Sequence, residues 1–251
     1  MCCVTLSATT TGSGPRLVLV HGFTQNADCW GPIVTDLATD FTVVCVDAPG
    51  HGRSFHDRAD LLEAGRLIGE VGGKAHYVGY SMGGRMALHL ATQLPNLVES
   101  LTLVGVTAGL DREDERADRR QADEALAQRI EAIGLPAFLD WWLALPLFDG
   151  VSPEQACLPA RLRNRPDGLQ ASLRACGTGT QQPLWSTLGD QRFPVQIVVG
   201  EHDTKFASLG QRLVDSFGDN AKLDTIAGAG HAAHLQDPAA FTAILRSFLS
   251  A

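Results

Sequence analysis

The chain lacks an excess of positive charge. Its 20 Lys and Arg stand against 28 Asp and Glu, a formal net charge of -8. Nucleic acids and anionic membranes are bound by clustered cations, so neither is expected as a partner. An anionic small molecule is compatible with this balance, because a few arginines gathered in one pocket can oppose the global sign. The chain also lacks a long apolar run. No window approaches the roughly 18 apolar residues that cross a bilayer. The opening stretch, MCCVTLSATTTGSG, has no basic start followed by an apolar segment and does not read as a secretory signal. A cytoplasmic location is expected. Metal-ligand spacing is missing among the cysteines Cys2, Cys3, Cys29, Cys45, Cys157 and Cys176. They are expected to be reduced thiols, with Cys45 a small core residue. No metal constellation, internal repeat or long low-complexity tract stands out, and no cofactor is expected.

What is present is a chain of 251 residues, 45% hydrophobic and 19% charged, able to build one sizeable core. Short apolar runs recur at Arg16 to Val20, Phe41 to Val46, His76 to Val78, Leu101 to Val106 and Val195 to Val199. They are rich in β-branched residues and do not alternate, as expected of strands buried on both faces. Helical patterns lie at Asp57 to Val71, Gly84 to Gln93 and Pro238 to Ala251. Strands alternating with helices predict an α/β fold with a mostly parallel central sheet flanked by helices. Residues 110–191 break the rhythm. They hold no convincing β run and open on a charged helical segment, DREDERADRRQADEALAQRIEAIG. The division expected is a core of residues 1–109 and 192–251 with a helical lid, 110–191, inserted between. An ordinary helical subdomain is the alternative.

Gly79-Tyr80-Ser81-Met82-Gly83 matches G-x-S-x-G between a strand and a helix. In that context the motif is a nucleophile elbow. Small residues two before and two after the serine let the chain turn sharply. A serine hydroxyl needs a base, and the base needs an orienting acid. Chain order predicts the acid in Gly200-Glu201-His202-Asp203 and the base in Gly228-Ala229-Gly230-His231. Asp203 is preferred to Glu201 because it lies farther out on its loop. His231 is preferred to His234. His21, His51, His56, His76, His89 and His202 are expected to be structural or merely adjacent. The oxyanion site is expected from the backbone N–H groups of Met82 and Phe23, the latter after the first core strand. The same triad would serve a serine esterase or C–C hydrolase working through an acyl-enzyme, and a non-catalytic binding protein on the same scaffold is a third reading.

These residues together resemble the α/β-hydrolase fold over nearly the whole chain. A narrower set resembles the 2-succinyl-6-hydroxy-2,4-cyclohexadiene-1-carboxylate synthases of menaquinone biosynthesis. It comprises Leu19-Val20-His21-Gly22-Phe23-Thr24-Gln25, the elbow continued through Gly84-Arg85, Gly177-Thr178-Gly179 with Gln181 and Leu184-Trp185, Asp203-Thr204-Lys205-Phe206, and Gly230-His231-Ala232-Ala233-His234. Ala232-Ala233 departs from members that carry Asn after the histidine. The resemblance implies a lyase that expels pyruvate from a small tricarboxylate, with Ser81 as a proton-abstracting base. It also implies carboxylate-binding arginines at Arg85, Arg119 and Arg163, with Arg120, Arg161 and Arg165 as neighbouring candidates. Tyr80 is a further candidate at the site. Trp141 and Trp142 either line the pocket or fill the junction of lid and core. Oligomeric state has no signature in the sequence.

Overall fold

The computed structural model describes residues 5–250, so Cys2 and Cys3 lie outside the described residues. Seven strands form one sheet: β1 (Ala8–Thr11), β2 (Arg16–Val20), β3 (Thr42–Val46), β4 (Ala75–Tyr80), β5 (Val98–Val104), β6 (Val195–Gly200) and β7 (Ala221–Ile226). Their order is β1-β3-β2-β4-β5-β6-β7. Only β1 runs antiparallel to its neighbour, pairing Ala8 with Val46. The inner strands are almost wholly buried, which is why they read as continuous apolar runs. The edge strands carry no such run. β1 is ATTT with two exposed residues, and β7 buries only Ile226. The sequence pattern therefore misses β1 and marks β7 only as a strand-like segment before His231.

Helices cover both faces. On one face pack α2 (Leu61–Gly72), α3 (Met82–Gln93) and α7 (Thr204–Phe217). On the other pack α1 (Gly31–Leu37), α8 (Ala233–Gln236) and α9 (Pro238–Leu249). The strand order reverses at β2: β3 lies on one side of it and β4 on the other. The loops leaving β2 and β4 thus part at the carboxyl end of the sheet, the crevice where open α/β sheets bind ligands.

Between β5 and β6 the chain is helix and loop only: α4 (Glu113–Leu143), α5 (Leu158–Arg161) and α6 (Pro166–Cys176). The insertion has a small core of its own, in which Ala127, Ile130, Phe138 and Leu139 of α4 meet Leu169 and Leu173 of α6. The α4 helix is broken at Gly134, whose φ of 75° and ψ of 162° leave helical space. Only glycine adopts that geometry freely. The last turns of α4 after the break carry Phe138, Trp141 and Trp142, and Trp142 meets Phe23 of the loop after β2. Cys45 is buried in the core, and Cys29, Cys45, Cys157 and Cys176 are all free. Among the described residues no helix is long and apolar enough to cross a membrane.

Candidate active site

Ser81 sits between the end of β4 and the start of α3 with φ 51° and ψ -110°. A non-glycine residue there costs on the order of 1–3 kcal/mol, a strain the surrounding structure must hold. The glycines of the motif explain how it is held. A Cβ on Gly79 would come within 2.4 Å of Gly84 Cα, and one on Gly83 within 2.3 Å of the Val20 carbonyl oxygen. Helix α3 can approach β2 and β4 this closely only without side chains at those positions. The Ser81 N–H donates to the Val104 carbonyl at 2.9 Å, tying the elbow to β5.

Asp203 follows β6 and caps α7, accepting the Phe206 N–H at 3.2 Å through Oδ1. Its other oxygen, Oδ2, lies 2.7 Å from His231 Nδ1. His231 Nε2 lies 3.3 Å from Ser81 Oγ. The imidazole is buried, and Gly105 at the end of β5 leaves room for it, since a Cβ there would be 2.8 Å from His231 Cε1. Glu201 is turned elsewhere and accepts the Gly228 N–H at 2.7 Å. His234 lies behind His231, packed on Trp30, Tyr80 and Phe241. Burial, with His231 and Arg161 nearby, drives its pKa down to about 3. It is a neutral packing group and does not line the cavity. Tyr80 is likewise packed between His231 and His234 and is not part of the cavity wall.

Buried histidines recur around this end of the sheet. Burial drives His51 to about 3 and His89 to about 4, and it lowers His21 as well. Each is neutral in the fold and takes up a proton near its ordinary pKa only in the unfolded chain. Falling pH therefore favours unfolding once it drops below about 6.5, with the loss continuing towards the depressed folded pKa values. For His51 and His89 the contribution is on the order of 2 kcal/mol each at about pH 5. Urea midpoints should be level between about pH 7 and 8.5 and distinctly lower at pH 5. Equal midpoints at both ends would remove these histidines from the stability balance.

A cavity of about 170 Å³ opens over Ser81 and His231. Phe23, Met82, Trp142, Leu147 and Phe206 give it apolar walls, and Arg85, Arg119 and Lys205 give it three cations. Asp123 is the one acid in the lining. Arg85 is buried, and its Nη1 donates to the Cys176 carbonyl at 2.7 Å. Burial, with Arg119 nearby, lowers its pKa to about 10, which leaves it charged at neutral pH. Arg119 pairs through Nε with Asp123 Oδ1 at 2.9 Å, while Asp123 Oδ2 has no partner. Burial raises the Asp123 pKa, with Arg119 opposing. The cavity is thus net cationic inside an acidic chain.

Three expected residues are not in the cavity wall. Arg163 is exposed and paired with Asp28 on the outer surface. Its place inward is taken by Arg161, which ends the single turn of α5 with its side chain buried. Trp141 packs on Phe138 and under the Arg129 guanidinium, 4.1 Å from its ring. Only Trp142 of the pair reaches the cavity, edge-on to Phe23 at 5.5 Å. Tyr80 is the third, already placed behind His231. Lys205 was not among the expected site residues. Its signal was the Asp203-Thr204-Lys205-Phe206 segment, which puts it two residues past Asp203.

Residues 17–244 match the family model described as Alpha/beta hydrolase family. A protein of Yersinia pestis bv. Antiqua (strain Nepal516) named 2-succinyl-6-hydroxy-2,4-cyclohexadiene-1-carboxylate synthase is 33% identical over 247 residues, covering 95% of this chain and 88% of that one. The structure of MenH from S. aureus superposes with a TM-score of 0.89 at 26% identity, covering 98% of both chains. A thermophilic esterase from Thermogutta terrifontis superposes with a TM-score of 0.83 at 21% identity over 98% of this chain and 93% of that one, a likeness of fold alone.

Proposed function

Because this chain belongs to the alpha/beta hydrolase family, and within it to the 2-succinyl-6-hydroxy-2,4-cyclohexadiene-1-carboxylate synthases, we propose that it eliminates pyruvate from 2-succinyl-5-enolpyruvyl-6-hydroxy-3-cyclohexene-1-carboxylate. The observation that carries the reading is the cation set. Arg85, Arg119 and Lys205 line the cavity over Ser81 in a chain of net charge -8. A tricarboxylate gives such a set something to bind, and a neutral ester does not.

The chemistry follows from the change of a 3-ene into a 2,4-diene. Ring C2 lies beside the succinyl carbonyl, so its proton is the acidic one. Ser81 Oγ takes that proton while His231 Nε2 takes the serine's, with Asp203 holding the imidazole in the required tautomer. Negative charge develops on the succinyl oxygen, where the N–H groups of Phe23 and Met82 receive it. Met82 is the first residue of α3, so its N–H has no acceptor within the helix. The electron pair then returns: a double bond forms between C2 and C3, the C3–C4 double bond moves to C4–C5, and the C5–O bond breaks. Enolpyruvate leaves and takes a proton on carbon to become pyruvate. No bond from Ser81 to substrate is needed. The helices of residues 110–191 act as the lid that dries the cavity and makes a serine alkoxide accessible.

The test is pyruvate release from the pathway substrate, read through coupled lactate dehydrogenase. Stoichiometric pyruvate with only trace turnover of p-nitrophenyl acetate is expected. Rapid ester hydrolysis without pyruvate, or an acyl group trapped on Ser81 during the normal reaction, would favour the hydrolase instead. Arg85→Met should lower kcat/KM for the tricarboxylate by about a hundredfold and leave ester hydrolysis within a fewfold. Arg163→Ala, cut from the outer surface, should leave both constants within about twofold, the scale of an exposed ion pair. A large rise in KM there would return Arg163 to the site.

A further inference from the structure

Arg161 carries a buried positive charge that no carboxylate meets. It is 1% exposed, and none of the ion pairs among the described residues includes it. It is not part of the cavity wall, so it does not touch what the cavity holds. Removing a guanidinium from water without a counter-ion is strongly unfavourable, so its bonds must serve some other end.

Those bonds converge on the loop after β2. Arg161 Nε donates to the Ala156 carbonyl at 2.7 Å, which fixes the side chain within its own segment. Its Nη1 reaches the Phe23 carbonyl at 3.4 Å and the Thr24 hydroxyl. Thr24 has φ 67°, left-handed space that a β-branched residue enters only under constraint. Asn164 adds to the constraint by donating from Nδ2 to the Thr24 carbonyl at 2.6 Å. Asn26 answers from the loop, donating to the Ala160 carbonyl at 2.6 Å.

The consequence is geometric. The peptide unit after Phe23 is pinned on both sides, its oxygen by Arg161 and its Thr24 N–H by His51 Nε2 at 3.4 Å. The unit before Gly22 is pinned by Gln25 Oε1, which accepts the Gly22 N–H at 2.9 Å. The peptide unit between them carries the Phe23 N–H, and its Gly22 oxygen accepts the Gln25 N–H at 3.1 Å, so this N–H has little freedom left to reorient. We propose that Arg161 is a positioning residue, which through Phe23 and Thr24 holds the oxyanion donor of Phe23 in place and makes that donor depend on docking of the Ala156–Asn164 segment against the core. This rests on the Phe23 N–H serving the oxyanion site and is independent of which substrate is turned over.

The test therefore uses three readouts. Pyruvate release reports the lyase reaction, and hydrolysis of p-nitrophenyl acetate reports the oxyanion site with a neutral substrate. Affinity for phenylboronic acid, whose serine adduct places an oxygen in the same site, reports it without turnover. Arg161→Met should lower kcat on both substrates by roughly a hundredfold, with KM changed by less than about threefold. Its Kd for phenylboronic acid should rise by about tenfold or more, and Arg161→Lys should recover part of each loss. If Arg161→Met does not fold, Thr24→Val removes the accepting hydroxyl and leaves the guanidinium in place. It should weaken phenylboronic acid binding by about tenfold. A rise in KM for the tricarboxylate alone, with ester hydrolysis and boronate affinity intact, would make Arg161 a substrate ligand and overturn the proposal. Unchanged boronate affinity in Thr24→Val would overturn it as well. Absence of pyruvate with the boronate effects intact would count against the lyase reading and not against this one.

Discussion

Ser81→Ala should lower pyruvate release by about 10⁴-fold or more and leave the fold standing. The loss is large because no other group is placed to do the same work. His231 Nε2 lies 3.3 Å from Ser81 Oγ, so the basic nitrogen is engaged with the serine although both residues line the cavity. Without the hydroxyl the imidazole must reach the substrate across the space it leaves. Water entering that space is a far weaker base than an alkoxide. The fold should stand because the elbow is built by its neighbours. The glycines at 79, 83 and 84 make the turn, and the Ser81 N–H bond to Val104 uses backbone atoms only. A sharper form of the result comes from Ser81→Gly. At φ 51° glycine relieves strain that alanine keeps, so the glycine variant should be equally inactive yet more stable than Ser81→Ala by about 1 kcal/mol. Paired turnover and thermal-melting measurements check both halves. Residual turnover within tenfold of the native enzyme would transfer the base role to His231 itself.

What the sequence disclosed about this site follows the range over which each constraint acts. The elbow was legible because its requirement is local: three glycines and a serine within six residues, each needed by sterics of the turn. Asp203 and His231 were legible through chain order and their loops, although only the fold brings them to 2.7 Å. The inward arginine was not. Arg161, Arg163 and Arg165 alternate along the chain, and a helix of a single turn has no periodicity from which to read a face. Packing against the β2 loop decides it, turning Arg161 inward and leaving Arg163 with Asp28. Tyr80 sits beside Ser81 in sequence, yet strand alternation sends neighbouring side chains to opposite sides, and it packs behind His231. Lys205 is set by the Asp203–Phe206 segment, but only the fold brings it into one cavity wall with Arg85 and Arg119. The edge strands β1 and β7 were faint because a strand with one wet face does not carry the apolar run that marks the inner five.

Asp203→Asn tests the half of the mechanism that Ser81 cannot. Its expected loss is about 10⁴-fold in kcat for pyruvate release, with the trace ester hydrolysis falling below detection. The native carboxylate accepts a hydrogen bond from the His231 Nδ1–H at 2.7 Å, which keeps the proton on Nδ1 and leaves Nε2 bare to take the proton of Ser81. An amide at the same place can turn its NH₂ group to His231. It then donates to Nδ1, the proton moves to Nε2, and the imidazole faces Ser81 as a donor instead of an acceptor. The substitution separates this effect from a structural one. Asp203 also caps α7 by accepting the Phe206 N–H through its other oxygen, Oδ1, at 3.2 Å. Asparagine caps about as well as aspartate, so the variant should melt within a few degrees of the native protein. Asp203→Ala loses both roles and should cost a further 1 kcal/mol or so of stability. If Asp203→Asn and Asp203→Ala were equally destabilised, the loss of activity would reflect a displaced α7, carrying Lys205 and Phe206 with it. If Asp203→Asn kept activity within tenfold, Glu201 would have to be reconsidered, although its carboxylate is engaged with the Gly228 N–H at 2.7 Å. The expected pattern, a stable protein with an intact cap and almost no turnover, is the one produced when the imidazole loses its orienting carboxylate and not when α7 is displaced.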